Sequence, residues 1–187
     1  LSFFKNTFLL CVFMCFSCGS QTKEKNKIVT KEIAIYDTGS ASNIKMENVI
    51  TGAEQFSAYQ RFLTNKKVGV VANQTSVIFE NETNTIHLVD FLLQNKISVK
   101  KVFAPEHGFR GTADAGEVVK DGIDTKTRIP IISLYGKNKK PSSKQLEGID
   151  IMVFDIQDVG ARFYTYISTL HYVMEACAQA DIPLLIL

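Results

Sequence analysis

Polar side chains that could bind and cleave a polar substrate follow four apolar runs of this sequence. They include carboxylates, which can transfer protons, amides and tyrosines, which can orient a substrate, and arginines, which bind anionic groups. The clusters are Asn73-Gln74-Thr75-Ser76, residues 105–111 with Asp114 and Glu117, Tyr135-Gly136-Lys137, and residues 155–166. Such a set is typical of a cleft for a polar ligand.

The acidic candidates each have a structural interpretation beside the catalytic one. Glu106, which follows Pro105, could be catalytic or could hold a loop. His107 could be a base, or could bond the loop backbone. Asp155, at the end of an apolar run, could organise a loop, whereas Asp158 and Gln157 are better placed at the mouth of a cleft. Glu106 and His107 are adjacent on an extended segment and point to opposite faces, so no metal-ligand spacing is convincing.

The cationic and aromatic candidates also have more than one interpretation each. Arg110 and Arg162 either pair with the neighbouring acids or bind an anionic substrate group through their forked guanidinium. Tyr164 and Tyr166 point to opposite faces on an extended stretch, so we expect one of them to face the cleft if a helix begins there. Cys177 lies in a helical apolar stripe and is expected to be a buried apolar residue.

The order of apolar patterns predicts the elements that position these residues. Short apolar runs predict strands at Val68–Ala72, Val99–Ala104, Ile129–Leu134, Ile151–Phe154 and Pro183–Leu187, and helical spacing predicts helices over residues 56–63, 87–92 and 166–180. Runs without alternation indicate strands buried on both faces. We therefore predict an α/β fold, a Rossmann-like parallel sheet with helices on both faces. In such sheets ligands bind at the carboxyl ends of the strands, where all four polar clusters would meet.

The composition of the sequence and the absence of several common motifs exclude some classes of function. The 187 residues are 45% hydrophobic and 21% charged, enough for one core of ordinary domain size. The net charge is +2 without a basic block, which argues against a nucleic-acid partner. No glycine-rich dinucleotide or Walker loop follows the first strand, so no cofactor is predicted. Cys11, Cys15 and Cys18 lie in the first twenty residues, so no disulfide framework can be built.

The first fifty residues are predicted to be a targeting signal followed by a flexible tether. An apolar run over residues 8–16 is too short to span a bilayer and suits a signal peptide, and Ser17-Cys18 resembles a lipoprotein cleavage site. We predict a signal peptide over residues 1–18, lipid on Cys18, a flexible tether over 19–50 and a domain over 51–187. Plain secretion and an uncleaved anchor are the alternatives. All three export the domain, and a lipid would hold it to the periplasmic or cell-surface face of a membrane. The apolar run at residues 183–187 predicts that the chain continues.

The four polar clusters also carry a family resemblance. Residues 104–111, 113–117, 133–137 and 154–169 closely resemble the exo-acting β-N-acetylmuramidases of peptidoglycan breakdown, long known as a domain of unknown function. The resemblance implies an exported glycosidase that releases N-acetylmuramic acid from the non-reducing end of peptidoglycan fragments. It also implies a second, C-terminal domain, absent from these 187 residues, that forms the other side of the cleft. This chain alone could therefore be inactive.

The resemblance assigns roles to individual residues. It implies Glu106 as the general acid and a tyrosine from residues 163–166, for which we favour Tyr164, as its assistant. Asp158 or a tyrosine would orient the acetamido group of the substrate, whose carbonyl could attack the anomeric carbon; a separate aspartate acting on water is equally allowed. The lactyl carboxylate of the substrate requires a cation, for which Arg110, Arg162 and Lys137 are candidates. Substrate-binding residues are predicted to be Asn73, Gln74, His107, Arg110, Glu117, Lys137, Gln157, Arg162 and Tyr166.

Two other functions fit the same residues. The first is a non-catalytic lipoprotein that uses the cleft to hold cell-wall sugars. The second is a metal-dependent hydrolase that uses His107, Asp114 and Asp158. Loss of turnover with retained sugar binding in a Glu106 variant would separate the glycosidase from the binding protein, and chelation would test for the metal.

Overall fold

The computed structural model of the protein describes residues 49–81, 83–111 and 120–187. The predicted signal peptide, Cys18 and all of the predicted tether except residues 49 and 50 lie outside the described residues, as do Asp114 and Glu117. None of the helices among the described residues has the length and apolar character needed to cross a bilayer.

A six-stranded sheet forms the centre of the fold. Its strands are β1 (Lys67–Ala72), β4 (Ser98–Ala104), β5 (Gly122–Ile123), β6 (Pro130–Ser133), β7 (Ile151–Asp155) and β8 (Leu184–Ile186). They lie in the order β5-β6-β4-β1-β7-β8, and every neighbouring pair is parallel except β5 with β6. Central strand β1 is paired on both sides, with Val70 opposite Val102 of β4 and Val153 of β7. The five predicted strands and their parallel arrangement are confirmed.

Helices cover both faces of the sheet because successive strand residues point to opposite sides. The helices are α1 (Phe56–Leu63), α2 (Leu88–Gln94), α3 (Ser143–Leu146) and α4 (Tyr166–Gln179). Val68 and Val70 of β1 pack in one core with Leu63 of α1 and Leu92 of α2. Val71, on the opposite side of β1, packs in a second core. That core includes Leu146 of α3 and Val173 and Cys177 of α4. The prediction that Cys177 is buried is correct, and burial raises the pKa of its thiol to about 11.

Four short elements lie outside the predicted pattern. An antiparallel hairpin joins β2 (Val77–Phe79) to β3 (Thr85–His87), and edge strand β5 runs against β6. Helix α3 begins with a capping box, in which the Ser142 side chain accepts a hydrogen bond from the Gln145 amide and the Gln145 side chain accepts one from the Ser142 amide. His87, predicted to begin a helix, ends β3 and caps α2 by accepting a hydrogen bond from the Val89 amide at its Nδ1.

Candidate active site

Glu106 lies where three elements meet at the carboxyl end of the sheet. Its Oε1 accepts a hydrogen bond from the Tyr135 hydroxyl, which follows β6, at 3.1 Å. Its Oε2 accepts one from the Thr165 hydroxyl, at the start of α4, at 2.7 Å. These donors are 29 and 59 positions away in the sequence. The parallel topology therefore brings three of the polar clusters together, as the sequence predicted.

A small cavity opens beside the Glu106 carboxylate. Its volume is about 120 Å³. The described residues that line it are Glu106, Leu134, Tyr135, Lys139, Thr165, Ser168, Thr169 and Tyr172. Five of these eight residues carry a hydroxyl group and Glu106 is half-buried, so the carboxylate can reach a solvent-accessible ligand. Such a lining suits a sugar, whose hydroxyl and amide groups pair with hydroxyl side chains.

A tight turn holds Glu106 in this position. β4 ends at Ala104, buried Pro105 follows, and the Gly108 amide donates to the Pro105 carbonyl oxygen at 3.0 Å. His107 and Gly108 both have left-handed backbones, with φ of 70° and 77°. That conformation is uncommon for residues other than glycine, although histidine adopts it more readily than most, and local packing holds the turn. Buried Phe109, whose ring lies 4.7 Å from that of His87, supplies part of that packing.

Asn73 organises the loop after β1. This fully buried side chain accepts hydrogen bonds from the Thr75 amide and hydroxyl and donates to the Tyr166 hydroxyl at 3.1 Å. His87 donates from Nε2 to the Asn73 carbonyl oxygen at 2.9 Å. Burial lowers the pKa of His87, which favours the neutral ring that accepts at one nitrogen and donates at the other. Asn73 and Tyr166, both predicted to bind substrate, thus bind each other. Gln74 is exposed beside them and packs near Gly111.

Asp155 is a buried carboxyl group at the end of β7. Its residue is 8% exposed, and within the described structure its Oδ2 has no hydrogen-bond partner. Burial raises its pKa to about 6, against a smaller lowering by Ser76. The Ser76 hydroxyl donates to the Asp155 main-chain oxygen, which joins the loop after β1 to the end of β7. Asp155 is therefore buried below the rim, and its main-chain oxygen joins two loops there, whereas both interpretations of its carboxyl group stay predictions.

Arg110 is held by two buried carboxylates. Its guanidinium donates to Asp90 with two hydrogen bonds, of 3.0 and 3.2 Å, and to Asp124 with two, of 2.8 and 2.9 Å. Lys126 adds a 2.8 Å contact to Asp90. Hydrogen bonding to Arg110 holds the pKa of Asp124 well below its usual range. Arg110 thus pairs with acids, but with Asp90 and Asp124, not with the site carboxylates considered from the sequence, and this bonding fixes the loop after Glu106 to α2 and to the turn after β5.

The remaining predicted site residues lie on the exposed loop between β7 and α4. Gln157, Asp158 and Arg162 are exposed, and the Asp158 carboxylate accepts a hydrogen bond from the Gly160 amide at 3.0 Å. Tyr164 is 49% exposed, with its ring 5.1 Å from that of Phe163. Among the described residues, none of these four lines the cavity beside Glu106. The structure does not bring them together with Glu106, and their roles stay predictions.

A larger depression adjoins the Glu106 cavity across the Tyr135 ring, which lines both. Its volume is about 520 Å³. The described residues that line it are Asp121, Ser133, Tyr135, Gly136, Lys137, Asn138 and Gln145. Lys137, one of the predicted cations, is exposed at this position. Tyr135 and Thr165 are the site residues that the sequence reasoning missed, although both lie within polar clusters that it had identified.

The described part of the chain contains no cluster of candidate metal ligands. No group of three or more His, Cys, Asp or Glu side chains is arranged to hold an ion within residues 49–81, 83–111 and 120–187. Asp114, one of the three ligands in the metal-dependent alternative, lies outside these ranges.

The chain is similar to one protein family model, to one curated relative and to two solved structures. A family model described as "Exo-beta-N-acetylmuramidase NamZ, N-terminal" matches residues 68–187. The chain is 46% identical over 130 residues to the peptidoglycan beta-N-acetylmuramidase NamZ of Bacillus subtilis strain 168, which covers 69% of this chain and 30% of that protein. Two crystal structures of DUF1343 family proteins from Bacteroides fragilis NCTC 9343 superpose with TM-scores of 0.64 and 0.60, at 36% and 43% identity. Each match covers 73% of this chain and 33% of the solved one. The chain thus spans about a third of the length of these relatives.

Proposed function

The chain belongs to the exo-β-N-acetylmuramidase NamZ N-terminal family, and we propose that it carries the catalytic acid of a glycosidase that releases N-acetylmuramic acid from peptidoglycan fragments. The observation that supports this most directly is the Glu106 carboxyl beside a hydroxyl-lined cavity at the carboxyl edge of the sheet. This is the edge at which parallel α/β sheets bind their ligands.

Glu106 is the proposed general acid. Cleavage of a glycosidic bond requires a proton on the leaving oxygen while positive charge develops at the anomeric carbon. In this scheme the Glu106 carboxyl gives its proton to that oxygen, the bond from oxygen to the anomeric carbon breaks, and Glu106 is left as the carboxylate. The carbonyl oxygen of the substrate's own acetamido group, or a water molecule, then bonds to the anomeric carbon.

The exo mode of action and the muramic acid specificity complete the proposal. N-acetylmuramic acid differs from the other sugar of peptidoglycan by a lactyl group that ends in a carboxylate. Exposed Lys137, in the depression next to the Glu106 cavity, is a suitable cation for that group. An exo-acting enzyme must also close its cleft beyond the terminal sugar, and we expect the C-terminal domain of longer family members to do so.

The experiment compares Glu106→Gln with wild type in the natural full-length gene product, on a synthetic chromogenic N-acetylmuramide. We expect kcat to fall by about 10² to 10⁴-fold, the usual contribution of general acid catalysis, while muramic acid still binds. Glu80→Gln, an exposed glutamate after β2, is the matched control and should keep the wild-type rate. Unchanged turnover in Glu106→Gln would exclude Glu106 as the acid. Sugar binding without turnover in the wild type would favour the non-catalytic binding protein.

We also propose that Cys18 carries a lipid that anchors the protein to a membrane outside the cytoplasm. The support is the apolar run at residues 8–16 followed by Ser17-Cys18. Metabolic labelling with a radioactive fatty acid should mark the wild type and not Cys18→Ser. Label in the Cys18→Ser protein would contradict the anchor, and Cys177→Ser is the control for the thiol outside this segment.

A further inference from the structure

The two oxygens of the Glu106 carboxylate accept hydrogen bonds from two hydroxyl groups in separate parts of the fold. Tyr135 donates to Oε1 and Thr165 donates to Oε2, so each oxygen receives a hydroxyl donor. Two contacts from different directions fix both the rotation and the position of a carboxyl group, whereas one contact would leave it free to turn.

Thr165 precedes α4 and directs its hydroxyl to Glu106. Threonine at the N-cap of a helix commonly has an extended backbone and accepts a hydrogen bond from the first turn. Thr165 instead has a helical backbone, with φ of −80° and ψ of −23°, and makes no side-chain cap hydrogen bond, while its hydroxyl donates to Glu106 at 2.7 Å. The contact to Glu106 is therefore the side-chain hydrogen bond that the Thr165 hydroxyl makes in place of a usual cap.

Tyr135 is held in place by the backbone around it. The Leu134 amide donates to the Ala104 carbonyl oxygen at 2.8 Å, and the Tyr135 amide donates to the Ser133 hydroxyl at 3.2 Å. These contacts place the phenol at the wall between the two depressions. The hydrogen bond to Glu106 raises the pKa of Tyr135, so its hydroxyl remains protonated and able to donate.

We propose that Tyr135 and Thr165 are positioning residues for Glu106, which aim its carboxyl at the scissile oxygen and set the pH at which it holds its proton. The inference rests on the proposed role of Glu106 as the acid. A hydroxyl both donates and accepts. Either contact therefore persists when Glu106 is protonated, with the carboxyl proton donated to one of the two hydroxyl oxygens until the substrate oxygen takes it.

The sign of the pH effect follows from the direction of the two bonds. Donors to the carboxylate favour its charged form. An acid catalyst works while protonated, so kcat falls as the pH rises and Glu106 loses its proton. Removal of either hydroxyl favours the protonated form and moves that fall to higher pH, by about one pH unit for one hydrogen bond to a charged group.

The test measures kcat, KM and the pH profile of kcat in the natural full-length gene product on a chromogenic N-acetylmuramide. In Tyr135→Phe and Thr165→Val we expect kcat to fall about 10- to 100-fold at the pH optimum because the carboxyl is misplaced. KM should change less than about threefold, and the alkaline limb should move upward. Thr165→Ser keeps the hydroxyl and should recover most of the lost rate. Tyr59→Phe, which removes a buried hydroxyl bonded to the Ala53 carbonyl oxygen, is the matched control and should keep the wild-type profile.

The outcomes separate this inference from the proposed function. If Glu106→Gln is inactive while folded Tyr135→Phe and Thr165→Val both keep the wild-type kcat and pH profile, the positioning role is wrong and the role of Glu106 stands. If Glu106→Gln is active, the proposed function fails first. If Tyr135→Phe does not fold, Thr165→Val and its serine counterpart decide: equal kcat in the valine and serine variants would overturn the inference.

Discussion

Asn73 and Tyr166 lie 93 positions apart in the sequence, and the Asn73 side-chain amide donates to the Tyr166 hydroxyl at 3.1 Å. This bond ties the loop after the central strand to the first turn of α4. Thr165, the neighbour of Tyr166, donates to Glu106. The geometry around Glu106 therefore depends on a side chain in the β1 exit that is itself fully buried.

The first prediction concerns Asn73. Asn73→Ala removes the hydrogen bonds to Thr75 and Tyr166. Thr75 is exposed and Tyr166 is half-buried, so water can replace part of what is lost, and we expect the free energy of unfolding to fall by about 1–2 kcal/mol. Tyr166→Phe removes one of these bonds and should cost about 1 kcal/mol. Urea unfolding measures both, with Gln74→Ala, at an exposed neighbour, as the control within about 0.5 kcal/mol of wild type. Equal stability of Asn73→Ala and Gln74→Ala would contradict the structural role.

The second prediction concerns the pH dependence of stability due to Asp155. Its pKa is raised from 3.8 to about 6 in the folded protein, mainly by burial. The stabilisation is therefore complete below about pH 4 and is lost as the pH rises through 6, a change on the order of 2–3 kcal/mol. In Asp155→Asn this slope should disappear. Urea unfolding at pH 4.5 and 7.5 measures it, with exposed Asp181→Asn as the control. A slope that survives in Asp155→Asn would mean that another group causes it.

The third prediction concerns Arg110 and its two carboxylates. Arg110→Met leaves Asp90 and Asp124 buried without their main partner, so we expect a loss of about 3–5 kcal/mol. The pKa of Asp124 is lowered by Arg110, so this stabilisation is present above the ordinary aspartate pKa and is lost as the pH falls below it. Arg110→Met should flatten the acid side of the stability profile.

The Arg110 experiment is thermal and urea unfolding between pH 2 and 7, an interval chosen to span about two pH units on each side of a usual aspartate. Exposed Arg61→Met, in α1, should change stability by less than about 0.5 kcal/mol. If Arg110→Met is as stable as Arg61→Met but raises KM for the muramide, Arg110 serves the substrate, as the resemblance implied, more than the fold.

The fourth prediction concerns Lys137. Lys137→Met should raise KM for an N-acetylmuramide about three- to tenfold with little change in kcat, because an exposed cation contributes modestly to binding a carboxylate. The same variant should bind an N-acetylglucosaminide, which lacks the lactyl group, as the wild type does. Lys144→Met, in α3, is the control. A parallel loss of affinity for both sugars would exclude Lys137 as the lactyl-binding cation.

The sheet was predictable because its strands are continuous apolar runs. β1, β4 and β7 matched their predicted positions within one residue. The β2–β3 hairpin was missed because three-residue strands carry too little pattern, and β5 was missed because Gly122–Ile123 is only two residues long. Antiparallel pairing of such short segments is set by their neighbours in the fold.

The location of the site at the carboxyl edge of the sheet was predictable, but its individual side-chain contacts were not. The strand exits predicted that Glu106 would meet the polar clusters after β6 and β7, whereas no sequence pattern distinguishes Tyr135 from Tyr164 as its partner. That choice depends on how far each loop extends before it turns back. Arg110 shows the same limit, since Asp90 and Asp124, 20 and 14 positions away, contact it only after folding.

The first turn of α4 lacks a side-chain cap, which bears on how readily its amides exchange. The first-turn amides, at Tyr166, Ile167 and Ser168, have no side-chain acceptor from the residue that precedes the helix. Hydrogen exchange at these amides should be faster than in the middle of α4. A ligand that orders this turn would slow the exchange, so the amides of Ile167 and Ser168 offer a direct spectroscopic report of occupancy beside Glu106.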